Sequence, residues 1–182
     1  MFVIAKEHWR SVNEFRAHLA KHSPSVAPWA HGVVLHHTWS PTVAQWRGSA
    51  SIDAMARFYE SKGWDRGPHL YIAVGSRNPA DDGIWQMTPL NLPGIHAGSA
   101  NRWAWGIEVV GNYDPAPWPA GLADMVRDTT VALMNWRSIA ISRQTLIGHR
   151  EVPSPKSCPG TAINMDMVRK RFAEAQGMTW NQ

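Results

Sequence analysis

Residues 104–111 read AWGIEVVG. The run is strongly apolar, as a strand within a covered sheet is, yet it carries one carboxylate, Glu108, flanked by Ile107, Val109 and Val110. A carboxylate among such neighbours is costly to bury unless it is paired or works beside a cation. The strand alone leaves two readings of Glu108 open: an edge position whose carboxylate reaches water, or a general base held next to a metal-activated water.

Working outward, further strand-like runs appear at 32–38 (GVVLHHT), 69–75 (HLYIAVG), 84–88 and 145–148. The second and third of these, joined by the polar loop 76–83, predict a hairpin. Apolar residues spaced three or four apart predict helices at 7–22, through Trp9, Val12, Phe15 and Leu19, and at 51–63, through Ile52, Met55, Ala56 and Tyr59. Ser51 is read as the N-cap of the latter and Gly63 as its stop. A third helix lies within 120–138, facing inward through Leu122, Met125, Val126, Thr129 and Leu133, and a last one covers 164–176. Alternating helices and strands with one hairpin predict an α/β fold: one domain over residues 1–182, with a central mixed sheet of about five to six strands flanked by helices.

The chain of 182 residues is long enough to bury a core, and 44% apolar with 18% charged residues argues against disorder. Eleven tryptophans are unusual for this length: some are core, since a large aromatic buries much apolar area, and a groove for an amphipathic ligand such as a sugar or peptide is the other reading, between which composition does not choose. A net charge of +4 suits an anionic partner, with an acidic cell wall or a lipid surface ahead of nucleic acid, because no basic stripe interleaved with aromatics is present. One cysteine excludes an internal disulfide. The opening MFVIAKEHWR lacks the basic start and continuous apolar core of a signal peptide, and no apolar run is long enough to span a membrane. The expectation is synthesis in the cytoplasm and no stable membrane insertion.

The stretch IGHREVPSPKSCPG, residues 147–160, holds His149, Lys156 and the lone cysteine, Cys158, among three prolines, and reads as a shaped loop. In the 32–38 strand, alternation sends His36 and His37 to opposite faces, and periodicity does not choose between them. Two histidines and a cysteine match the ligand count of a catalytic zinc site with one open position. On spacing alone, a satisfied strand histidine and a small buried cysteine remain the simpler account, since His36 is over a hundred residues from the other two. Lys156 is either a solvated loop lysine or a cation aimed at developing negative charge.

Four motifs together carry a resemblance. LHHT (35–38), GIHAGSAN (94–101), WGIEVVGNYD (105–114) and GHREVPSPKSCPG (148–160) stand in the order found in type 2 N-acetylmuramoyl-L-alanine amidases. These are zinc enzymes in a superfamily shared with phage T7-type lysozymes and peptidoglycan recognition proteins. The similarity spans roughly residues 27–165. It implies Zn2+ held by His36, His149 and Cys158, with His36 chosen as the first position of the His pair. It also implies Glu108 as catalytic base and Lys156 as catalytic lysine. His37, Trp39, His96 and Asn101 are candidates for the substrate groove, His96 because its loop motif is shared with the family; His37 packed behind the ligand and Trp39 in the core are their plainer readings. Pro68 stands where some relatives carry a catalytic tyrosine, and Tyr71 is not an obvious substitute.

The implied reaction is hydrolysis of the amide joining N-acetylmuramic acid to L-alanine in peptidoglycan. Because Cys158 binds metal as thiolate, affinity should fall with pH. The expected setting is endolysin-type wall lysis after release from the cytoplasm. The alternatives are a cytosolic amidase recycling anhydromuropeptides, or a module that binds peptidoglycan without cutting it; three filled ligand positions favour an enzyme. Arg169, Lys170 and Arg171 on the last helix are read as a solvated basic face, with contact to an anionic envelope as the alternative.

Overall fold

Strands that are apolar throughout need cover on both faces of their sheet, and the order of elements in this chain supplies it. The computed structural model describes residues 2–153 and 156–180. In chain order the elements are β1 (His8–Trp9), α1 (Val12–Leu19), β2 (Gly32–His37), α2 (Ser49–Ser61), β3 (Leu70–Ala73), β4 (Gly83–Gln86), β5 (Ala104–Val109), α3 (Ala120–Trp136), β6 (Leu146–Gly148) and α4 (Met165–Ala175). The six strands make one sheet in the order β1-β4-β3-β5-β2-β6. β3, β5, β2 and β6 are parallel, while β4 and β1 join antiparallel at one side. The expected single-domain mixed-sheet α/β fold and the β3–β4 hairpin are both present.

Alternation along the strands sorts the side chains by face. Val33, Leu35, Leu70, Ile72, Trp105, Ile107 and Val109 point to one side, where Phe15 and Leu19 of α1, Leu122, Val126 and Leu133 of α3, and Val168 and Phe172 of α4 cover them. The other side is covered in two separate pieces. Ile52, Ala56 and Tyr59 of α2 lie with Trp46 over Tyr71, Ala73 and Trp85. Val34 is covered instead by Ala97, Ala100 and Val152. Across the parallel ladders Tyr71 is opposite Glu108, and Glu108 is opposite His36. These three therefore share the second face, and His36 and Glu108 fall where its two covers leave a gap.

The N-terminal segment departs from the expected helix over 7–22. The helix begins only at Val12, because the Ser11 hydroxyl accepts from Glu14 N (3.2 Å) while the Glu14 carboxylate accepts from Arg10 N (2.8 Å). The sequence carries the spacing of a capping box, Ser11-x-x-Glu14, with Glu14 reaching the amide of Arg10 in place of that of Ser11, a start signal that the longer apolar spacing overrode. The residues before it form the edge strand β1, with His8 stacked on Trp85 at 3.8 Å. Likewise α2 starts at Ser49 behind Gly48, and the Ser51 hydroxyl accepts from Arg47 N (2.8 Å) instead of capping the helix. Gly63 does follow the end of α2 with a left-handed φ of 78°.

The solvated basic face expected on α4 needs correction at Arg169. Lys170 and Arg171 are exposed, but Arg169 is 1% exposed. Its guanidinium donates to Leu146 O (2.8 Å), to Asp166 (3.0 Å) and to Glu151, fastening α4 to the start of β6 and to the turn that follows the strand. Removing it leaves the Leu146 carbonyl without its donor and takes a buried cation from Glu151 and Asp166, so Arg169→Ala is expected to lower the unfolding free energy by about 3 kcal/mol in a urea titration. Arg171→Ala should change it by less than ~0.5 kcal/mol.

Candidate metal centre and its groove

The carboxyl ends of parallel strands converge on one place, the usual location of a site in an open α/β sheet. His36 comes from the end of β2, Glu108 from near the end of β5, and His149 directly follows β6. The loop after His149 returns Cys158 to the same point. Donor atoms of His36, His149 and Cys158 lie within 4.8 Å of one another, with His36 Nδ1 3.6 Å from Cys158 Sγ. Tetrahedral coordination at ordinary zinc bond lengths puts neighbouring donors roughly 3.5 Å apart, so the three side chains are already gathered at the required scale.

The hydrogen bonds fix which nitrogen of His36 faces the cluster. His96 Nε2 lies 3.0 Å from the carbonyl oxygen of Ala104, which can only accept, so His96 carries its proton there. Its Nδ1 is left as an acceptor, 3.1 Å from His36 Nε2, so His36 donates from Nε2 and presents a bare Nδ1 to Cys158 and the cluster. Gly106 makes room for this arrangement, since a Cβ there would come 2.6 Å from the His96 ring. Asn101 accepts from His96 N (2.8 Å) and Ala97 N (2.7 Å), pinning the loop that carries His96.

Burial sets the protonation states. It holds His36 well below the usual imidazole range and, with the Lys156 cation, brings His149 down to about 4. Both imidazoles are therefore neutral, the form in which histidine binds metal. Burial first and the Glu108 carboxylate second push the Cys158 thiol up to about 12, although His37 N donates to its sulfur at 3.3 Å. Burial also pushes Glu108 up to about 8, against the pull of Lys156. One Glu108 oxygen is 3.8 Å from His36 Nδ1, while Oε2 is buried with no hydrogen-bond partner. A divalent ion at the three donors would reverse both unfavourable terms, stabilising the thiolate and the carboxylate together. The orphaned oxygen and the donor set thus fit a metal at this position.

Two clamps keep the 149–163 segment in register with the sheet. Arg150 N donates to Cys158 O (2.7 Å), and its guanidinium donates to Gly160 O (2.6 Å) and to Ile163 O. From β5's side, Asp114 accepts from Ser157 Oγ (3.2 Å) and Thr161 N (2.9 Å). Ser154 and Pro155, part of the proline-shaped loop, lie outside the described residues. Lys156 is exposed and borders the groove above the cluster, which encloses about 560 Å³.

Of the groove candidates, Trp39 stands 62% exposed in the wall. His96 borders the groove with both ring nitrogens engaged. His37 sits behind Cys158, its Nδ1 accepting from Tyr113 N (3.1 Å), and Asn101 holds the loop from within. Sequence reasoning missed the contribution of α2. Tyr59, read as a core stripe position, lines the groove beside Pro68, and its hydroxyl is 3.1 Å from that of Tyr71. Phe58, Lys62 and Trp64 border the groove as well. No local pattern announces them, because their nearness to Glu108 exists only once α2 is laid on the sheet.

Fold and site define an α/β domain able to hold a divalent metal with two histidines and a cysteine beside a buried carboxylate. The family model described as N-acetylmuramoyl-L-alanine amidase matches residues 26–161, and the chain belongs to this family, the type 2 amidases. A human N-acetylmuramoyl-L-alanine amidase is 29% identical over 140 residues, 74% of this chain. The chain spans only 23% of that relative's length. Among solved structures, the N-acetylmuramoyl-L-alanine amidase LysC from Clostridium intestinale superposes with a TM-score of 0.62 at 23% identity, covering 79% of this chain and 85% of that one. The endolysin LysCS from the same organism gives 0.62 at 22%, covering 94% of both chains. A mutant of Drosophila PGRP-LB in complex with tracheal cytotoxin gives 0.63 at 21%, covering 92% of this chain and 86% of that one. At these identities the structural likenesses bear on the fold.

His96→Phe keeps the ring volume and removes the acceptor for His36 Nε2. It is expected to weaken binding of a divalent transition metal about 10- to 100-fold in competition with a chromogenic chelator, with an unchanged far-UV spectrum.

Proposed function

We propose that the protein is a zinc-dependent amidase that hydrolyses the bond between N-acetylmuramic acid and L-alanine in peptidoglycan. The observation that carries this reading is the buried Glu108 carboxylate, with one oxygen unpartnered and the other 3.8 Å from His36 Nδ1, beside the His36–His149–Cys158 cluster. Two imidazoles and a thiol select zinc over the oxygen-seeking Mg2+ and Ca2+. Bound by these three side chains, zinc would supply Lewis acidity toward the amide carbonyl and the attacking water.

The chain's own residues account for the proton transfers. Glu108 accepts a proton from water as the water oxygen bonds to the amide carbon, and then delivers it to the alanine nitrogen as the carbon–nitrogen bond breaks. Lys156, on the groove rim, offers a cation to the carbonyl oxygen as that atom gains charge. Membership of the amidase family supports the bond assignment.

For the biological role we infer endolysin-type lysis of intact wall, supported by the likeness in fold to an endolysin over most of both chains. The likeness to a recognition protein in complex with tracheal cytotoxin favours a soluble fragment as the second substrate reading. Faster turnover of purified sacculi than of soluble anhydromuropeptides is the expected result, and the reverse order would favour recycling.

Digestion of purified peptidoglycan should expose new L-alanine amino termini, stop with a chelator and resume with added Zn2+. New reducing ends without alanine termini would reject the reading. Glu108→Gln should lower turnover about 10²- to 10⁴-fold while the zinc content of the purified protein stays at that of the parent. Full activity in that variant would end the assignment of Glu108 as base.

A further inference from the structure

A hollow of about 350 Å³, sharing no residue with the metal-centre groove, lies where the end of α1 meets the end of α3. Glu7, His18, His22, Val26 and Trp136 are on its border. Nothing in the amide chemistry uses these side chains, yet two imidazoles and a carboxylate are gathered there.

His18 and His22 are four residues apart, the spacing that sets two side chains on one side of a helical turn. The regular part of α1 ends at Leu19, but the turn continues: Lys21 N donates to His18 O (3.1 Å) and His22 N to Leu19 O (3.0 Å). The ring centres of the two histidines are 4.8 Å apart, with 48° between their planes. One ion held by two imidazole nitrogens at ordinary bond lengths puts the ring centres roughly 5 Å apart. In the metal cluster itself, the His36 and His149 rings are 4.5 Å apart with 60° between them. The pair on α1 thus has the spacing of a pair already recognised as metal ligands.

Both histidines are held in place. His18 is half-buried, its ring 4.6 Å from that of Trp9 in the core. His22 is exposed, and its carbonyl accepts from Trp136 Nε1 of α3 (3.0 Å). Elsewhere, His8, His36, His37, His69 and His96 each have a ring nitrogen engaged in a hydrogen bond. Among the described residues no such bond engages the ring of His18 or of His22. Burial first, and then His22, hold the His18 imidazole below its usual range; Glu7 pulls the other way and Lys21 adds to the fall. Near neutrality His18 therefore has a lone pair to offer. The Glu7 side chain is exposed and rises from a fixed point, since Gln86 N donates to Glu7 O (2.8 Å).

We propose that His18 and His22 form a second metal site, separate from the His36–His149–Cys158 cluster, which takes a divalent transition ion with the Glu7 carboxylate as third protein ligand and water completing the shell. Two imidazoles and one carboxylate suit Ni2+, Cu2+ or Zn2+ over Mg2+ and Ca2+. An ion there joins the segment before β1 to the end of α1, which Trp136 already fastens to α3. Its role is to brace the fold, because the site lies apart from the groove.

Ni2+ is the probe, added to zinc-loaded protein so that the first centre is filled. Equilibrium dialysis should show one Ni2+ bound per chain, with the dissociation constant raised at least about tenfold in His22→Ala, at an exposed position, and in His18→Gln. Glu7→Gln should raise it about three- to tenfold. His31→Ala, which removes an exposed histidine outside the hollow, should bind as the parent does. Ni2+ at about 100 times its dissociation constant should raise the Tm of the parent by about 5 °C, and that of His22→Ala by no more than about half as much. Ni2+ uptake that is absent in the parent, or equal in the parent and both histidine variants, overturns the site. Equal affinity in Glu7→Gln overturns the part given to the carboxylate. The test is independent of the amidase reading: if the first centre takes no zinc, the parent still holds one Ni2+ more than His22→Ala.

Discussion

The pairing of β2 with β5 sets His36 directly beside Glu108 on one face of the sheet. The site depends on that register. A slip of one residue would turn Glu108 toward α3 and the apolar core, and no rearrangement of loops could bring it back. The parallel direction of β3, β5, β2 and β6 adds a second constraint, because it places the exits of these strands at one edge. His149 leaves β6 at that edge, and the loop that follows needs only to fold back for Cys158 to meet it.

The same constraint explains why a groove exists there. A mixed sheet must be covered on both faces, and here one face is closed by α1, α3 and α4 acting together. On the other face α2 covers β3 and β4, while Ala97, Ala100 and Val152 cover β2, and the two covers form separate clusters. The polar residues of the sheet stand in the interval. Burial keeps both ligand imidazoles neutral and leaves a carboxylate and a thiol that are costly to ionise in the absence of a cation. The domain thus accepts a local instability that a metal ion would relieve, a common relation between stability and function at a site.

Around the cluster the structure separates two jobs. Residues behind the ligands hold geometry: the Ala104 carbonyl and His96 orient His36, and Arg150 and Asp114 hold the loop that carries Cys158. Residues in front line the groove, and they come from α2 and from the turn after β2. The donor cluster and the groove rim are built on different elements, so one can change without disturbing the other.

Much of this was legible in the chain. Apolar spacing located the four helices, and β-branched runs located five strands, because local side-chain periodicity is a direct record of which face is buried. Where a competing signal existed it was misweighed: Ser11 and Glu14 start α1 at Val12, five residues after the expected start at residue 7, freeing His8 and Trp9 for an edge strand. The ligand triad was nameable only through resemblance, since His36 and Cys158 are 122 residues apart and no spacing rule links them. Residue identity by itself determined the strand that carries Glu108, the loop that carries His149 and Cys158, and the chemistry those side chains can perform. Tertiary structure alone decided that Arg169 is buried, that His96 serves His36, and that Tyr59 and Phe58 face the groove. Each of these follows from packing between elements distant in sequence, and the periodicity of a single element holds no information about its partner.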